Sequence, residues 1–364
     1  MRIFITAGDP SADAHAARLM AALRLRIPEV VFEGFGGPAM EMQGLRSVAH
    51  LKDLAVSGFW EVAKRYGYFR ALLKQCQQLL HSRRYDLFLP VDYPGFNLRL
   101  ATYARSQRIP VAWYIAPQLW AWGSRRAPVL AEAVTDLLVV FPFEVEFFFH
   151  HGIAAYYVGH PLIEQLDTIP HVPRTESVLL MPGSRQQEVR HHIPVLQSAM
   201  VELRRMSPAP VVVAKAGMVD AEWLSPLQTS GAEIVMDSRT AMRTAGAGLV
   251  KAGTSTLEAT LLGMPYATFY RTSWASYHLS RWLVDVSSVT MANLLLDRPV
   301  VHEYLQQDAT GERLAAELLD LLQNEQRRQE LAQATAEVHQ LLGGTGASER
   351  AADYLADRYQ KRGR

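Results

Sequence analysis

The 364-residue chain has a single cysteine, Cys76. One thiol excludes an internal disulfide and any cysteine-rich metal centre, and it suits a reducing compartment. Charge of one sign is also missing: 37 Lys and Arg stand against 36 Asp and Glu, a formal net charge of +1. There is thus no chain-wide attraction for nucleic acid, and none is expected as a partner. No apolar run approaches the roughly 18 residues of a membrane span. The opening MRIFITAG is short and soon followed by Gly8, Asp9 and Pro10, so it is expected to be a strand rather than a secretory leader. Internal repeats and low-complexity tracts are absent.

What is present is alternation. Apolar runs at 2–6 (RIFIT), 30–35, 87–91 (LFLPV), 111–116 and 136–141 are separated by segments of helical period such as 12–26 and 97–107. A second series at 178–183, 210–216, 233–237, 247–253 and 266–270 is separated by 191–205, 239–245 and 254–262. Strands alternating with helices predict parallel sheets covered on both faces. Two series predict an α/β chain of two doubly wound, Rossmann-like domains, spanning 1–166 and 167–364, with a tail that is only helical from about 308. Such a pair is expected to face a ligand cleft outside the carboxyl ends of the strands.

The run DLFLPVDYPGFN (86–97) ends an apolar strand on Asp92. A carboxylate delivered to a buried strand end is either a turn former or aimed at a ligand, since an unpartnered buried charge is costly. AGDPSADAHAARL (7–19) joins a strand to a helix through Gly8. Ser11 and Asp13 are candidates for that helix's cap or for a ligand, and the full Gly-x-Gly-x-x-Gly spacing of a dinucleotide site is missing. MPGSRQQEVR (181–190) sets Ser184 and Arg185 at another strand end, and Arg suits bidentate contact with phosphate.

KAGTSTLEATLLGMP (251–265) starts a helix after Gly253 with Thr254, Ser255 and Thr256. N–H groups there suit an anion such as a diphosphate. Glu258 is either a ribose acceptor or the partner of Ser255 in a capping box. Trp120 and Trp122 in YIAPQLWAWGSRR (114–126) offer flat apolar faces to a sugar or acyl chain, or fill the core. His160 in VGHP is a structural or a site histidine. The stretch 54–80 carries Phe59, Val62, Tyr66, Phe69, Leu73 and Leu80 at roughly helical spacing, with Lys64, Arg65, Arg70 and Lys74 interleaved and Trp60 beside Phe59. It reads equally as a helix resting on an anionic membrane surface or as a core-facing helix.

Ten segments together resemble the lipid-A-disaccharide synthase family of GT-B-type glycosyltransferases. They are AGDPSADAHAARL, GFGGPAMEMQG, LAVSGFWEV, VDYPGFNLRLA, YIAPQLWAWGSRR, FPFEVEFF, YYVGHPL, LLMPGSRQQEV, AGTSTLEATLLGMP and VTMANLLLDRPVVHEYLQ, in register over nearly the whole chain. The resemblance implies transfer from a UDP-2,3-diacylglucosamine donor to 2,3-diacylglucosamine 1-phosphate, forming a β-1,6 disaccharide and UDP without metal or cofactor. It implies Asp92 and Arg185 as catalytic residues. It places Thr254–Thr256 near the diphosphate and Glu258 near the ribose, with Asn293, Glu303 and Gln306 beside the cleft. It also implies a cytoplasmic enzyme attached peripherally to the inner membrane, with self-association left open. Three positions depart from the family pattern: Asp9 for glutamate, Ala12 for glycine, and Gly95 for aspartate. The two rivals are a UDP-sugar epimerase of similar architecture and a non-catalytic nucleotide-sugar-binding protein at a membrane surface.

Overall fold

The structure, a computed structural model, describes residues 1–50, 66–82, 84–121, 123–217, 219–273 and 288–360. The chain divides into two compact units, Met1–Glu164 with Leu342–Arg364, and Gln165–Leu341.

In the first unit the strands are β1 (Arg2–Ala7), β2 (Val31–Gly36), β3 (Arg46–His50), β4 (Leu87–Val91), β5 (Ala112–Tyr114), β6 (Asp136–Val139) and β7 (Ala155–Tyr157). They form a parallel sheet in the order β3-β2-β1-β4-β5-β6-β7. β1 and β4 are buried over almost their whole length, because a parallel sheet is covered on both faces. Alternate residues feed two cores. Ile3, Ile5, Leu87 and Leu89 pack with the helix Pro10–Arg26 on one face. Phe4, Phe88 and Trp113 pack with the helix Pro94–Ser106 on the other.

Pro90 lies inside the central strand β4 and has no N–H to give to β5. The ladder on that side is anchored instead by Phe88 N–H to Pro110 O at 2.9 Å and Asp92 N–H to Tyr114 O at 3.1 Å.

In the second unit β8 (Val178–Met181), β9 (Val211–Ala214), β10 (Glu233–Val235), β11 (Ala247–Lys251), β12 (Tyr266–Tyr270) and β13 (Glu303–Leu305) form a parallel sheet in the order β10-β9-β8-β11-β12-β13. Both sheets therefore match the expected doubly wound class. The strands without a counterpart in the sequence reading, β3, β7 and β13, all lie at sheet edges.

The last helix corrects the expected domain division. Sequence order placed it with the second domain. Instead Ala347–Tyr359 packs on the helix Pro10–Arg26 of the first unit, burying Ala351, Ala352, Leu355 and Tyr359 against that core. The small alanine face permits close approach. Arg26 pairs with Asp353 at 2.5 Å. Buried Asp136 accepts from the hydroxyls of Tyr354 and Tyr359 and from Arg358.

Of the 54–80 stretch, Phe59, Trp60, Val62, Lys64 and Arg65 lie outside the described residues. The helix Tyr66–Ser82 buries Leu72, Cys76 and Leu80, and Phe69 and Leu73 pack on the same core, so this part is core-facing. Among the described residues no helix is long and apolar enough to cross a membrane.

Leu355 is fully buried in the docked helix. Leu355→Ala should cost about 2–5 kcal/mol by denaturant unfolding, the range for removing a buried leucine side chain. A loss under about 0.5 kcal/mol would mean that the terminal helix does not dock on the first unit.

Candidate active site

In a doubly wound sheet, ligands bind outside the carboxyl ends of the strands where the strand order reverses. The first sheet reverses between β1 and β4, and the second between β8 and β11. The sequence candidates cluster at these two points, Gly8 to Ser11 and Asp92 at the first, Ser184, Arg185 and Gly253 to Ser255 at the second.

At the first point the chain leaves β4 through two consecutive left-handed residues, Asp92 (φ 47°) and Tyr93 (φ 51°). Such conformations cost about 1–2 kcal/mol per non-glycine residue, so they need fixing. Asn97 Nδ2 donates to Asp92 O at 2.7 Å, and the buried Thr6 hydroxyl donates to Asn97 Oδ1 at 2.8 Å. The Tyr93 ring lies over Gly8, where an added Cβ would stand 2.2 Å from the ring. Gly8 is thus required by close approach. Half-buried Asp92 has its carboxyl pushed up to about 6, first by burial and then by the charge of Asp9, against the opposing effect of the Tyr93 N–H. The strand end thus holds a carboxyl whose pKa burial keeps above the usual carboxylate range.

The neighbouring candidates have other duties. Asp9, not Ser11 or Asp13, caps the helix, accepting from the N–H groups of Ser11 and Ala12 at 2.9 Å. Aspartate is the stronger N-cap residue, which gives this departure from the family's glutamate a local reason. Ser11 stays exposed, 3.2 Å from His15 Nε2. Asp13 is buried, accepting from the N–H groups of Gly37, Ala39 and Met40. Trp120 donates its indole N–H to Glu144 at 2.9 Å and meets Phe141 and Phe143 edge-on; Trp122 lies outside the described residues. His160 is buried, its Nδ1 accepts from Leu162 N–H at 3.2 Å, and burial followed by the charge of His15 pushes its pKa down to about 3. It stays neutral and caps a short helix. Gly95 is exposed with open space where a side chain would stand, so no clash accounts for the missing aspartate.

At the second point a pocket of about 220 Å³ is lined by Gly183, Ser184, Lys215, Ser238, Lys251 and Ser255 among others. Gly183 (φ 116°) and Gly253 (φ 137°) turn the chain at the ends of β8 and β11. Gly253 is the N-cap of the helix Thr254–Leu261, whose first N–H groups, at Thr254 and Ser255, lack intrahelical acceptors, while that of Thr256 donates to Gly253 O. Arg185 is 65% exposed, and its guanidinium lies 3.2 Å from buried Glu188. Buried His192 holds the loop from behind: Nδ1–H donates to Pro182 O at 2.6 Å and Nε2 accepts from Arg271 N–H at 3.0 Å.

Thr256 is fully buried. Its hydroxyl donates to Gly253 O at 2.8 Å and accepts from Met291 N–H at 3.3 Å, so its side chain serves the fold. The Ser255–Glu258 capping box does not form, because Ser255 lies inside the helix and Glu258 Oε1 binds Arg239 at 2.8–2.9 Å. Buried Asn293 donates to Val301 O and Glu303 and accepts from Val300 and Val301 N–H. Glu303 gathers the N–H groups of Val289 and Thr290. Gln306 (φ 52°) accepts from Thr272 N–H, and its buried Nε2 has no partner among the described residues.

Motif reading passed over Glu144, Arg239 and His192, which hold candidate residues in place, and Lys215 and Lys251, which line the second pocket. Lys215 and Lys251 had a signal, since both close apolar strands.

The comparisons with known proteins bear on the family and the fold. A family model described as lipid-A-disaccharide synthetase matches residues 3–356. The chain is 36% identical over 367 residues to the lipid-A-disaccharide synthase of Anaeromyxobacter sp. (strain K), covering 97% of this chain and 96% of that one. It is 35% identical over 371 residues to that of Myxococcus xanthus (strain DK1622), covering 98% and 97%. Among solved structures it resembles UDP-GlcNAc 2-epimerase from Neisseria meningitidis bound to UDP-GlcNAc, with TM-score 0.69, 12% identity and coverage of 98% and 100%. Arabidopsis thaliana UGT89C1 gives TM-score 0.62 at 14% identity, with 98% of both chains covered. At these identities the structures speak for the fold, a GT-B-type α/β chain.

The raised Asp92 pKa has a stability consequence. A carboxyl raised from 3.8 to about 6 in the fold favours folding while protonated, fully below 3.8, and loses that contribution as pH rises through about 6. Asp92→Asn removes the ionisation and tolerates the left-handed backbone. The variant should be more stable than wild type at pH 8 by about 1–3 kcal/mol, and the gain should vanish below about pH 4. Equal stability at pH 8 would mean that the carboxylate is not destabilised by its surroundings.

Proposed function

The chain belongs to the lipid-A-disaccharide synthase family, and we propose that it joins UDP-2,3-diacylglucosamine to 2,3-diacylglucosamine 1-phosphate, releasing UDP. The observation that carries the reading is Asp92, a carboxyl titrating near 6 at the strand-order reversal of the first sheet. Asp92 takes the proton from the acceptor 6-hydroxyl. That oxygen attacks the donor's anomeric carbon as the carbon–oxygen bond to UDP breaks, so the configuration inverts and a β-1,6 linkage forms. A base near the working pH suits this step. The departing diphosphate is met by Arg185, Ser184 and the first-turn N–H groups of Thr254 and Ser255, which act where negative charge grows. Glu258 accepts from the ribose through Oε2, since its pair with Arg239 uses Oε1. Trp120, fixed by Glu144, offers its ring to an acyl sugar.

The acyl chains give this enzyme a reason to work at the cytoplasmic surface of the inner membrane, since each buried CH₂ is worth about 0.8 kcal/mol. Incubation with donor and acceptor tests the whole reading. Disaccharide plus UDP is the expected result; an epimerised donor alone would replace it with epimerase chemistry, and no product would leave only binding.

Asp92→Asn should lower turnover by at least ~10²-fold with UDP affinity retained, and the wild-type kcat/KM should fall on the acid side with a midpoint near 6. Normal turnover by the purified variant would remove Asp92 from the role of base. Arg185→Ala should weaken UDP binding by roughly tenfold, the low end for a charge-assisted hydrogen bond, because 65% exposure screens the interaction. Calorimetry that finds no change would take Arg185 away from the phosphates.

A further inference from the structure

The strands on either side of β8 end in the same tripeptide, Lys215-Ala216-Gly217 after β9 and Lys251-Ala252-Gly253 at the end of β11. Their register is also shared. Leu180 pairs with Val213 of β9, and Met181 pairs with Val250 of β11. Two further steps along the β9 pair and one along the β11 pair set both lysines level with Pro182, at the start of the loop that carries Ser184 and Arg185. With parallel strands about 4.8 Å apart, their backbones stand roughly 10 Å apart across that loop.

Both lysines line the 220 Å³ pocket, together with Ser184 and Ser255, and no acidic side chain is among its lining residues that the structure describes. Lys251 is 15% exposed, and its ammonium lies 3.2 Å from the carboxylate of buried Glu188, which also holds Arg185. One carboxylate thus serves two cations. Lys215 is half-buried and makes no ion pair with a described residue. Two ammonium groups lining one small pocket, with only Lys251 paired to a carboxylate that Arg185 also uses, repel each other, and an anionic ligand relieves that repulsion.

We propose that Lys215 and Lys251 form a two-lysine clamp on the diphosphate of the nucleotide sugar, with Glu188 as the positioning residue that aims Lys251. The proposal rests on the nucleotide-sugar reading given above and adds the groups that hold the phosphates. Ammonium groups suit this task as point charges that adjust to either phosphate. The serine hydroxyls and the helix start complete the cradle.

Calorimetry with UDP and uridine tests it on the full chain. Wild type should bind UDP far more tightly than uridine. Lys251→Met and Lys215→Met should each weaken UDP roughly 10- to 150-fold, the range for a charge-assisted hydrogen bond, and leave uridine within about twofold. Lys251→Arg should recover most of the loss. Lys251→Met leaves Glu188 short of a partner, so Lys251→Met with Glu188→Gln, which removes the buried charge, is the control for folding. That double variant should melt like wild type and still bind UDP weakly. UDP affinity unchanged in both single variants, or UDP and uridine weakened alike, would overturn the clamp while leaving the nucleotide-sugar reading in place. A wild-type protein that binds UDP no better than uridine would overturn both.

Discussion

Two neighbouring parallel strands cannot be joined by a hairpin. The chain must cross a face of the sheet, and it does so with one hand. The first sheet grows from β1 outward to β3 and then returns to β4 on the other side of β1. The helices after β1 and β4 therefore cover opposite faces, as the two separate cores record. Between them the strand ends are left uncovered. Gly8 and Asp92 stand at that gap in one unit, Gly183 and Gly253 at its counterpart in the other. The chemistry is placed by this constraint before any side chain is considered, because it is where backbone donors and strand-end side chains remain open to a ligand.

Among the carboxylates near these ends, hydrogen-bond saturation separates the structural from the reactive. Asp13 takes three backbone N–H groups. Glu144 takes two and an indole, yet full burial still pushes it up to about 7. Glu303 takes N–H groups, a hydroxyl and an amide. Each such bond to a charged group is worth about 1.5–3 kcal/mol, and it ties the carboxylate to the fold. Asp92 is different. The left-handed pair at 92–93 commits its own N–H and C=O to Tyr114 and Asn97, and Asp9 opposes its charge. The backbone there is held tightly, and the carboxyl is left to bind and release a proton.

The fold class was legible because central parallel strands are apolar over their whole length, and their apolar runs need no periodicity to be seen. The strands that escaped, β3, β7 and β13, are edge strands of three to five residues. Edges are half-solvated, so RSVAH, AYY and EYL show no such run. The docking of Ala347–Tyr359 back on Pro10–Arg26 escaped for another reason: amphipathic spacing shows that a helix has a buried face and not what covers it. At the site, strand-end residues were legible by position. Whether a polar side chain there serves ligand or fold was not. Thr256, Asn293 and Asp13 sit in the right segments and accept from backbone N–H groups at 291, at 300 and 301, and at 37, 39 and 40, partners that the spacing within each motif does not encode. Glu258 failed its capping-box expectation in the same way, since Arg239 is nineteen residues distant.

Exposure also orders the groups proposed to meet the leaving diphosphate. A charge in water acts at a dielectric constant near 80, and a partly buried one at an effective value of about 20, so the same contact is roughly fourfold stronger in the second setting. Arg185 is 65% exposed and Lys251 is 15% exposed. A helix N-terminus contributes about 0.3–1 kcal/mol at an exposed position, less than one ammonium held close to a phosphate. The lysine at the strand end is therefore the stronger electrostatic partner, and Arg185 contributes chiefly the planar fork that fixes phosphate orientation. Glu188 makes this division possible. Paired with both cations from beneath, it offsets the cost of burying Lys251 and keeps Arg185 near the rim. When a dianion enters, the two cations can turn part of their interaction from one shared carboxylate toward the phosphates without leaving any charge unpartnered.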